Sequence, residues 1–536
     1  MIISNKWMRD NKTHLKPCMI VAYSWLIMIT VIAVIFGGGV FVPVDPRTGL
    51  PLHGVHLSFP VWGSLIEPFT ALFHIMETVP DYKRGILSIL TWILFIVFIC
   101  SVWLADRRGE RLFAILGSGF RAAITALFLL LLYLAITLTS HFPNWSLQKD
   151  GTDVVVADLH SHSLHSHDGV ISARENLRWH QQRGYDVVAF TDHVNAQGPF
   201  VAYRPKGEGL PAVIHGIEIP TYYGAHFYFT ALGMDKDTPL PNGLAWREGA
   251  KAPLPPASLP PYIWYIKRFI KTVHQHHGVV ITVALHLDVA DVVALTKAGV
   301  DGFEYINSGH EPLPESVRQA LLTAQRTKGV VLLASNDWHG WTGALNAWTL
   351  FTPSSDKRSL TPKDIVLDAL RQHDTSHIIP AVSYPVHVMT WFEIVMAPFT
   401  SIFLYAKTLS FWQLLSWWVW VGLCALLVKT WQFKGISPSR FGMHAFILTA
   451  GIRELWDGVT RLPVSLSSSS TFLSLNFKII YCSFAVGFFL VFSELFIACR
   501  ASAGITPIRL TAYMHSFIRP LLRRLGIVIG KKEVMK

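Results

Sequence analysis

Between Cys100 and Cys424 the 536-residue chain has no cysteine, and the five it contains, Cys18, Cys100, Cys424, Cys482 and Cys499, lie in or beside apolar runs. No disulfide framework is implied; the gap is compatible with an oxidising compartment without establishing one. Charge is also scarce. Asp, Glu, Lys and Arg make up 15% of the residues against 51% apolar, with a mean hydropathy of +0.37. That balance excludes an ordinary soluble enzyme. No internal repeat is visible, and the one low-complexity tract is Ser467 to Ser470.

The apolar excess is local. Pro17 to Val44 carries no charged residue and is long enough to cross a bilayer of about 30 Å at about 1.5 Å per residue. Ile86 to Ala105 and Ala122 to Ser140 are further runs of this kind. The first exceeds the roughly 7 to 15 residues of a signal-peptide core and has no convincing Ala-x-Ala exit, so it reads as an uncleaved anchor. Lys6, Arg9, Lys12 and Lys16 precede it, and Arg107, Arg108 and Arg111 lie between the second and third runs. Positive residues favour the cytoplasmic side, which sends the third helix outward. Beyond Pro385, Thr408 to Val428 is long enough to span, as is Ile479 to Cys499 with Glu494 inside it. Val386 to Ala406, interrupted by Glu393 and Pro398, is a weaker span; if it lies on the surface, Phe441 to Ile452 is the short substitute. An odd number of passes leaves the tail, with Arg509, Arg519, Arg523, Arg524, Lys531 and Lys532, in the cytoplasm. The organisation is therefore a membrane region of three helices over 1–140, a domain over 150–385, a membrane region of two or three helices over 386–499, and a basic cytoplasmic tail over 500–536. The loop from Asp45 to Lys83 is too apolar for a linker; it reads either as an interfacial or re-entrant piece or as packing on the neighbouring helices. Its His53, His56 and His74 match no ligand spacing.

Chemistry concentrates in the middle. The apolar run Val154 to Ala157 leads into Asp158-Leu-His160-Ser-His162-Ser-Leu-His165-Ser-His167-Asp168-Gly169, the pattern of a buried strand delivering side chains at its C-terminal end. Alternate residues of an extended chain point the same way, so His160 and His162 can grip one ion. Other apolar runs also meet polar clusters: Asp186 to Phe190 stops at Thr191-Asp192-His193, and Ala212 to Ile217 at Glu218. His226 opens Phe227 to Leu232, Val279 to Leu285 ends at His286, and Val330 to Ala334 ends at Ser335-Asn336-Asp337-Trp338-His339. Strand, ligand-rich end, helix, repeated, is the grammar of a β/α barrel with its reactive residues on one rim. Mixed imidazole and carboxylate donors suit Zn, Mn or Fe more than Mg. Ions held close together activate water and clamp both oxygens of an in-line displacement at phosphorus, which makes phosphoester hydrolysis the default reaction.

His-x-His with Asp-Gly, Thr-Asp-His, Gly-x-Glu, a strand-end His and Asp-x-His, spread over Asp153 to Pro385, together resemble the PHP family, named for polymerase and histidinol phosphatase. The resemblance implies an α/β fold, a distorted seven-stranded (β/α) barrel holding two or three divalent metal ions, here inserted between N- and C-terminal transmembrane helices. It implies one ion on His160, His162, Glu218 and Asp337, a second on Glu218, His226 and His286, and a third on Asp168, His193 and His339, with Glu218 bridging the first pair. Glu218, Asp337 and His193 are expected to serve catalysis with metal-activated water. His286 is followed by Leu287 where the family often has proline.

Arg204 and Lys206 read either as rim cations for a phosphate or as a solvated basic loop. Ser172 to Glu175 has the form of a capping box and Thr361-Pro362 that of a helix start. Tyr262 to His277 has Ile263, Ile266, Phe269, Ile270 and Val273 at helical spacing, its His274, His276 and His277 marking the helix end. The proline-rich stretch Asp235 to Pro261 is a long loop, either lid or spacer. Trp338 and Trp341 are expected to wall the site, while His165, His167 and Asn336 flank it without a role. The expectation is a multi-pass protein of the bacterial inner-membrane type with a periplasmic metal domain. It would hydrolyse a phosphomonoester or diester at the outer face, lipid-linked or on an envelope glycan. The alternatives are a nuclease or nucleotide phosphatase in that compartment, and a non-catalytic metal-binding sensor or assembly module. A formal charge of +11 invites nucleic acid, but much of it sits in the tail and beside the membrane segments. The short tethers, Ser140 to Gly151 and Tyr384 to His387, pin the domain near the bilayer.

Overall fold

The computed structural model describes residues 5–37, 42–79, 81–139, 143–151, 153–166, 168–193, 209–220, 227–234, 261–340, 347–384 and 386–434. The chain divides into two compact units, 1–430 with 464–476 and 431–463 with 477–536. Ile479 to Cys499, Phe441 to Ile452, the basic tail, Arg204, Lys206, His226, His167, Trp341 and the stretch 235–260 lie outside the described residues.

Among the described residues, three helices are long and apolar enough to cross a membrane: α1 (Asn5–Phe36), α4 (Tyr82–Asp106) and α5 (Leu112–Thr139). Large apolar side chains stand on their surfaces, Phe113 at 88% exposure among them. Helices α4 and α5 pair side by side, with Phe98 against Phe120 at 5.5 Å. Between α1 and α4 the chain forms β1 (Val55–Ser58), α2 (Val61–Ser64) and α3 (Glu67–Glu77). Strand β1 pairs antiparallel with β2 (Ser146–Lys149), and the buried face of α3 includes Glu67, His74 and Glu77. This loop is therefore packed into the fold; His74 is engaged by Glu67 and the Pro143 carbonyl, and His56 by Asp150. After the barrel come α11 (Trp391–Thr408) and α12 (Phe411–Lys434), separated by a break at which the axis bends by 110°.

The barrel contains β3 (Val155–Ser161), β4 (Val187–Phe190), β5 (Ala212–Pro220), β6 (Tyr228–Leu232), β7 (Val279–Thr282), β8 (Gly302–Asn307), β9 (Val331–Ser335), β10 (Ala347–Phe351) and β11 (Ile378–Val382). They form a nine-stranded sheet in the order β11-β10-β3-β4-β5-β6-β7-β8-β9. The expected count was seven. The run β3 to β9 is extended by β10 and β11, which pair antiparallel on the β3 side. Strand β6 runs antiparallel to both neighbours. The sheet nearly closes on itself: Ser161 bridges Trp338, His162 N donates to Trp338 O at 2.8 Å, and Asp337 N to His160 O at 2.9 Å.

Inward residues Val155, Ala157, Leu159, Val187, Ala189, Ile214, Ile281 and Leu333 form one core with Val366 and Leu370 of α10 (Pro362–Arg371). Arg371 Nε donates to His277 O, just before β7 begins, so α10 plugs the end where the parallel strands start. The opposite end is left for chemistry. Outside the sheet lie α6 (Ala173–Gln182), α7 (Pro261–Gln275), α8 (Val289–Ala298) and α9 (Glu315–Lys328). The stripe Ile263, Ile266, Phe269, Ile270, Val273 on α7 is buried, each side chain contributing about 1.5–3 kcal/mol at most. Ser172 accepts from Glu175 N to cap α6, and Thr361 from Asp364 N to cap α10.

Candidate metal centre

A phase change in β3 aims the histidines. Val155, Ala157 and Leu159 face the interior, whereas Val156 packs outward with Trp179. The register slips between Asp158 and Ser161, as a β-bulge does when it re-aims a side chain. Past the slip His160 and His162 turn inward, while Asp158 stays outside, held by His180 Nε2 at 3.0 Å and Asn336 Nδ2 at 2.8 Å. The following turn is fixed by Asp192, whose carboxylate accepts from Ser163 N at 2.6 Å and Ser163 Oγ at 2.8 Å. Gly169 is required there: a Cβ would lie 2.0 Å from Ser163 O.

Among the described residues, two groups of potential ligands meet at the ends of β3, β4, β5 and β9. In one, His160, His162, Glu218 and Asp337 are all buried and their donor atoms lie within 4.8 Å of one another. His160 Nε2 is 3.1 Å from Glu218 Oε2, His162 Nε2 is 3.0 Å from Asp337 Oδ1, and the two Nε2 atoms are 3.0 Å apart. In the other, His162 recurs with Asp168, His193 and His339; His193 Nε2 and His339 Nε2 are each 3.1 Å from Asp168 Oδ2. The His162 ring lies against those of both His193 and His339, at 4.8 and 4.1 Å between centroids. The floor is sealed, with His160 and His162 at 0% exposure. The second group, by contrast, reaches solvent through Asp168 and His339.

The electrostatics suit a multivalent cation. Burial alone would raise the carboxyl of Glu218, yet His160, His162 and His193 beside it hold it at about 2. Asp337 is likewise held well below the usual range, against its burial, by His160, His162 and His310. Reciprocally, the carboxylates hold His160 well above an ordinary imidazole although burial opposes its charge. The donor set, two imidazoles with two carboxylates in one group and three with one in the other, fits Zn, Mn or Fe.

Of the remaining residues singled out in the sequence, His286 belongs to neither group; it lies beyond the end of β7, exposed, with φ 53°. His226 and Arg204 lie outside the described residues. Trp338 does not wall the site. Its indole is buried and stacks on Trp179 at 3.6 Å on the outer face of the sheet, because it points opposite to Asp337 and His339. Three important residues carried no motif. Glu304 Oε1 accepts from His160 Nδ1 at 2.7 Å and from Ser335 Oγ at 2.7 Å, and its Oε2 from Asn307 Nδ2 at 2.8 Å. Such a partner fixes the tautomer and aim of a ligating imidazole. Asp337 Oδ2 is met by His310 Nε2 at 2.9 Å and, more distantly, by Asn307 Nδ2 at 3.4 Å. Asp337 itself sits at φ 52°, left-handed backbone that is uncommon outside glycine.

No protein-family model and no curated protein matches the chain. Among solved structures, the chain is similar to a protein of Bifidobacterium adolescentis provisionally named a metal-dependent phosphoesterase, at 18% identity over 40% of this chain and 96% of that one, TM-score 0.28. An amidohydrolase of Chromobacterium violaceum shares 14% identity over 34% of this chain and 87% of its own, TM-score 0.24. PsfC of Pseudomonas syringae shares 17% over 48% of this chain and 100% of its own, TM-score 0.28.

Proposed function

We propose that the protein is a membrane-anchored, metal-dependent phosphoesterase that hydrolyses a phosphomonoester or diester on the barrel side of a bilayer. The observation that carries this reading is the pair of donor groups sharing His162 at the open end of the barrel. His160, His162, Glu218 and Asp337 would hold one divalent ion; Asp168, His193 and His339, beside His162, would hold another. A third on Glu218 with His226 and His286 follows only from the family resemblance. Bound there, such ions polarise a phosphoryl oxygen and make water acidic enough to attack near neutral pH. Glu304 and Asn307 keep His160 and Asp337 in position, and the sealed floor excludes bulk water beneath the reacting phosphorus. In the hydrolysis the oxygen of one water bonds to phosphorus, the P–O bond to the alcohol breaks, and the alcohol departs with a proton.

The membrane setting is supported by α1, α4 and α5. Val44 pairs with Val382 and β1 with β2, so the loop after α1 and the barrel share one side, and the Arg107 to Arg111 turn takes the other. The Lys and Arg distribution makes the barrel side extracytoplasmic, periplasmic in a bacterial inner membrane. The test is phosphate release from a generic aryl phosphate by the full-length protein in detergent, with Mn or Zn added after chelation. Metal-dependent release is expected; none from protein shown to carry bound metal refutes an esterase and leaves the sensor or assembly module.

A further inference from the structure

The rim of the metal centre is tied to the first turns of the membrane helices. The loop after β8 carries His310, which contacts Asp337 Oδ2 at 2.9 Å, and Glu311, whose Oε1 is 3.9 Å from Lys83 Nζ. One peptide unit, about 3.8 Å between Cα atoms, separates the residue on the metal ligand from the residue that meets Lys83. Lys83 opens the apolar span of α4, with Arg84 beside it. The pair is half-exposed and contributes little energy, but it marks position. Immediately beyond, Arg318 in the first turns of α9 donates to Val386 O at 3.3 Å, on the link between β11 and α11.

A second marker agrees. Strand β11 is antiparallel to β10, which is antiparallel to β3, so β11 runs with β3; through Ala347, Val382 is level with the His160 end. From that end the chain passes directly to the Thr390 cap of α11. Helices α4 and α11 begin beside each other: Ser88 Oγ donates to Ile394 O, Trp92 Nε1 to Val395 O at 3.1 Å, and Trp92 meets Phe399 at 5.7 Å. At these starts Trp391 is 83% and Phe392 73% exposed. Exposed indole and phenyl rings next to Lys and Arg are the composition of a membrane boundary, rings among the acyl chains and cations among lipid phosphates. Because α11 lies within about 20° of perpendicular to α12, it runs along the surface if α12 crosses, its exposed Trp391, Val395, Phe399 and Phe403 turned to lipid.

We infer that the phosphoester taken by this centre is carried on a membrane lipid, its phosphate presented to the β8–α9 side of the rim from the headgroup layer beside the first turns of α4 and α11. The inference rests on the phosphoesterase reading and narrows its substrate class. The experiment uses the full-length, Mn-loaded protein in phosphatidylcholine vesicles and two probes: a soluble aryl phosphate, and the same aryl phosphate bearing a hexadecyl chain and dispersed in the bilayer. The chained probe should be cleaved with kcat/KM at least about tenfold higher. Lys83→Glu and the double change Trp391→Ser with Phe392→Ser should cut that preference by about threefold or more, leaving the soluble probe's rate as it was. Equal or faster cleavage of the soluble probe overturns the lipid source while the phosphoesterase reading stands. An undiminished preference in well-inserted variants overturns the entry side. Release from neither probe overturns the phosphoesterase reading and this inference with it. Should both variants fail to insert, the comparison of probes on the unaltered protein still decides the lipid source.

Discussion

Changing Glu304 to Gln removes one charge and almost no volume, and the geometry says what must happen next. Oε2 of Glu304 faces two donors, Ala284 N at 3.2 Å and Asn307 Nδ2 at 2.8 Å, the latter amide held in orientation because its own oxygen accepts from Gly309 N. The glutamine carbonyl must take that side, which turns its NH2 toward Ser335 Oγ and His160 Nδ1. The serine hydroxyl can rotate. The imidazole can accept at Nδ1 only by carrying its proton on Nε2, the atom that faces Glu218 and His162, and a protonated nitrogen is no ligand. Loss of such an orienting partner weakens metal binding about 10–100-fold, or roughly 1.4–2.8 kcal/mol. Glu304→Ala is a poorer test, since it strands several buried donors at about 1–3 kcal/mol each and threatens the fold. Competition against a fluorescent chelator, with circular dichroism to confirm folding, should show one ion weakened by that factor and the ion on Asp168, His193 and His339 retained. Unchanged affinity for every ion in a folded Glu304→Gln protein would refute the assignment of His160 as a ligand oriented by Glu304.

Glu218→Gln should lower metal content and abolish phosphate release, whereas His165→Ala should leave elemental analysis nearly unchanged; if both variants bind metal alike, the ligand set is wrong. Asp301 gives a pH signature away from the centre: it accepts from Val280 N, His274 Nε2 and His373 Nε2. Despite burial, these partners hold its carboxyl below the usual range, and the hydrogen bond to Asp301 holds His274 above an ordinary imidazole. The Asp301 contribution is present above the unfolded value of about 3.9 and lost as acid passes its folded value. That of His274 is full below about 6.5 and lost as pH rises through its higher folded value. Melting temperature against pH should plateau between about 4 and 6.5, and Asp301→Asn should flatten both flanks; a variant with both flanks intact refutes the account. Trp179→Ala, which removes the partner of Trp338, should cost about 3–5 kcal/mol, read as the shift of the denaturation midpoint at constant slope; under 1 kcal/mol would mean the stack is not stabilising. Reporters fused after Ser140 and after Pro385 should give the same extracytoplasmic signal, and one inserted at Gly109 the opposite; a cytoplasmic signal at Ser140 reverses the orientation.

The donors that meet were legible because their residue types are rare inside apolar strands. His160 and His162 alternate, and Glu218 and Asp337 come at the ends of mainly apolar runs. The slip that gives those histidines their inward phase was not legible, since nothing in Asp158 to Ser161 distinguishes a bulged strand from a regular one. Glu304 and His310 escaped because Gly302 to Asn307 carries its carboxylate mid-strand and reads as neither strand end nor ligand motif; the signal present was a Gly299 helix stop before it and a Ser-Gly turn after it. Strands β10 and β11 are short apolar runs without polar ends, so a reading keyed to ligand-bearing ends passed over them; the seven strands expected came from the family resemblance, and nine form. Strand β1 was apolar enough to notice, but its partner Ser146 to Lys149 is polar. Pairing between residues so far apart in the chain is set by tertiary packing.

The contact between Val44 and Val382, N to O in both directions at 2.8 and 2.9 Å, bears on how the protein is made. Strand β11 is the last of the sheet, and its outer edge is met by chain that emerges near the beginning of synthesis. Val44 must wait while α4, α5 and the whole barrel are translated before its partner exists. The sheet is thus completed only by a segment that precedes α4, α5 and the barrel in the chain, and a barrel lacking that segment would leave its edge open to pair with another copy. Whatever part of the barrel forms before that pairing keeps an open edge, and the early segment around Val44 is what closes it.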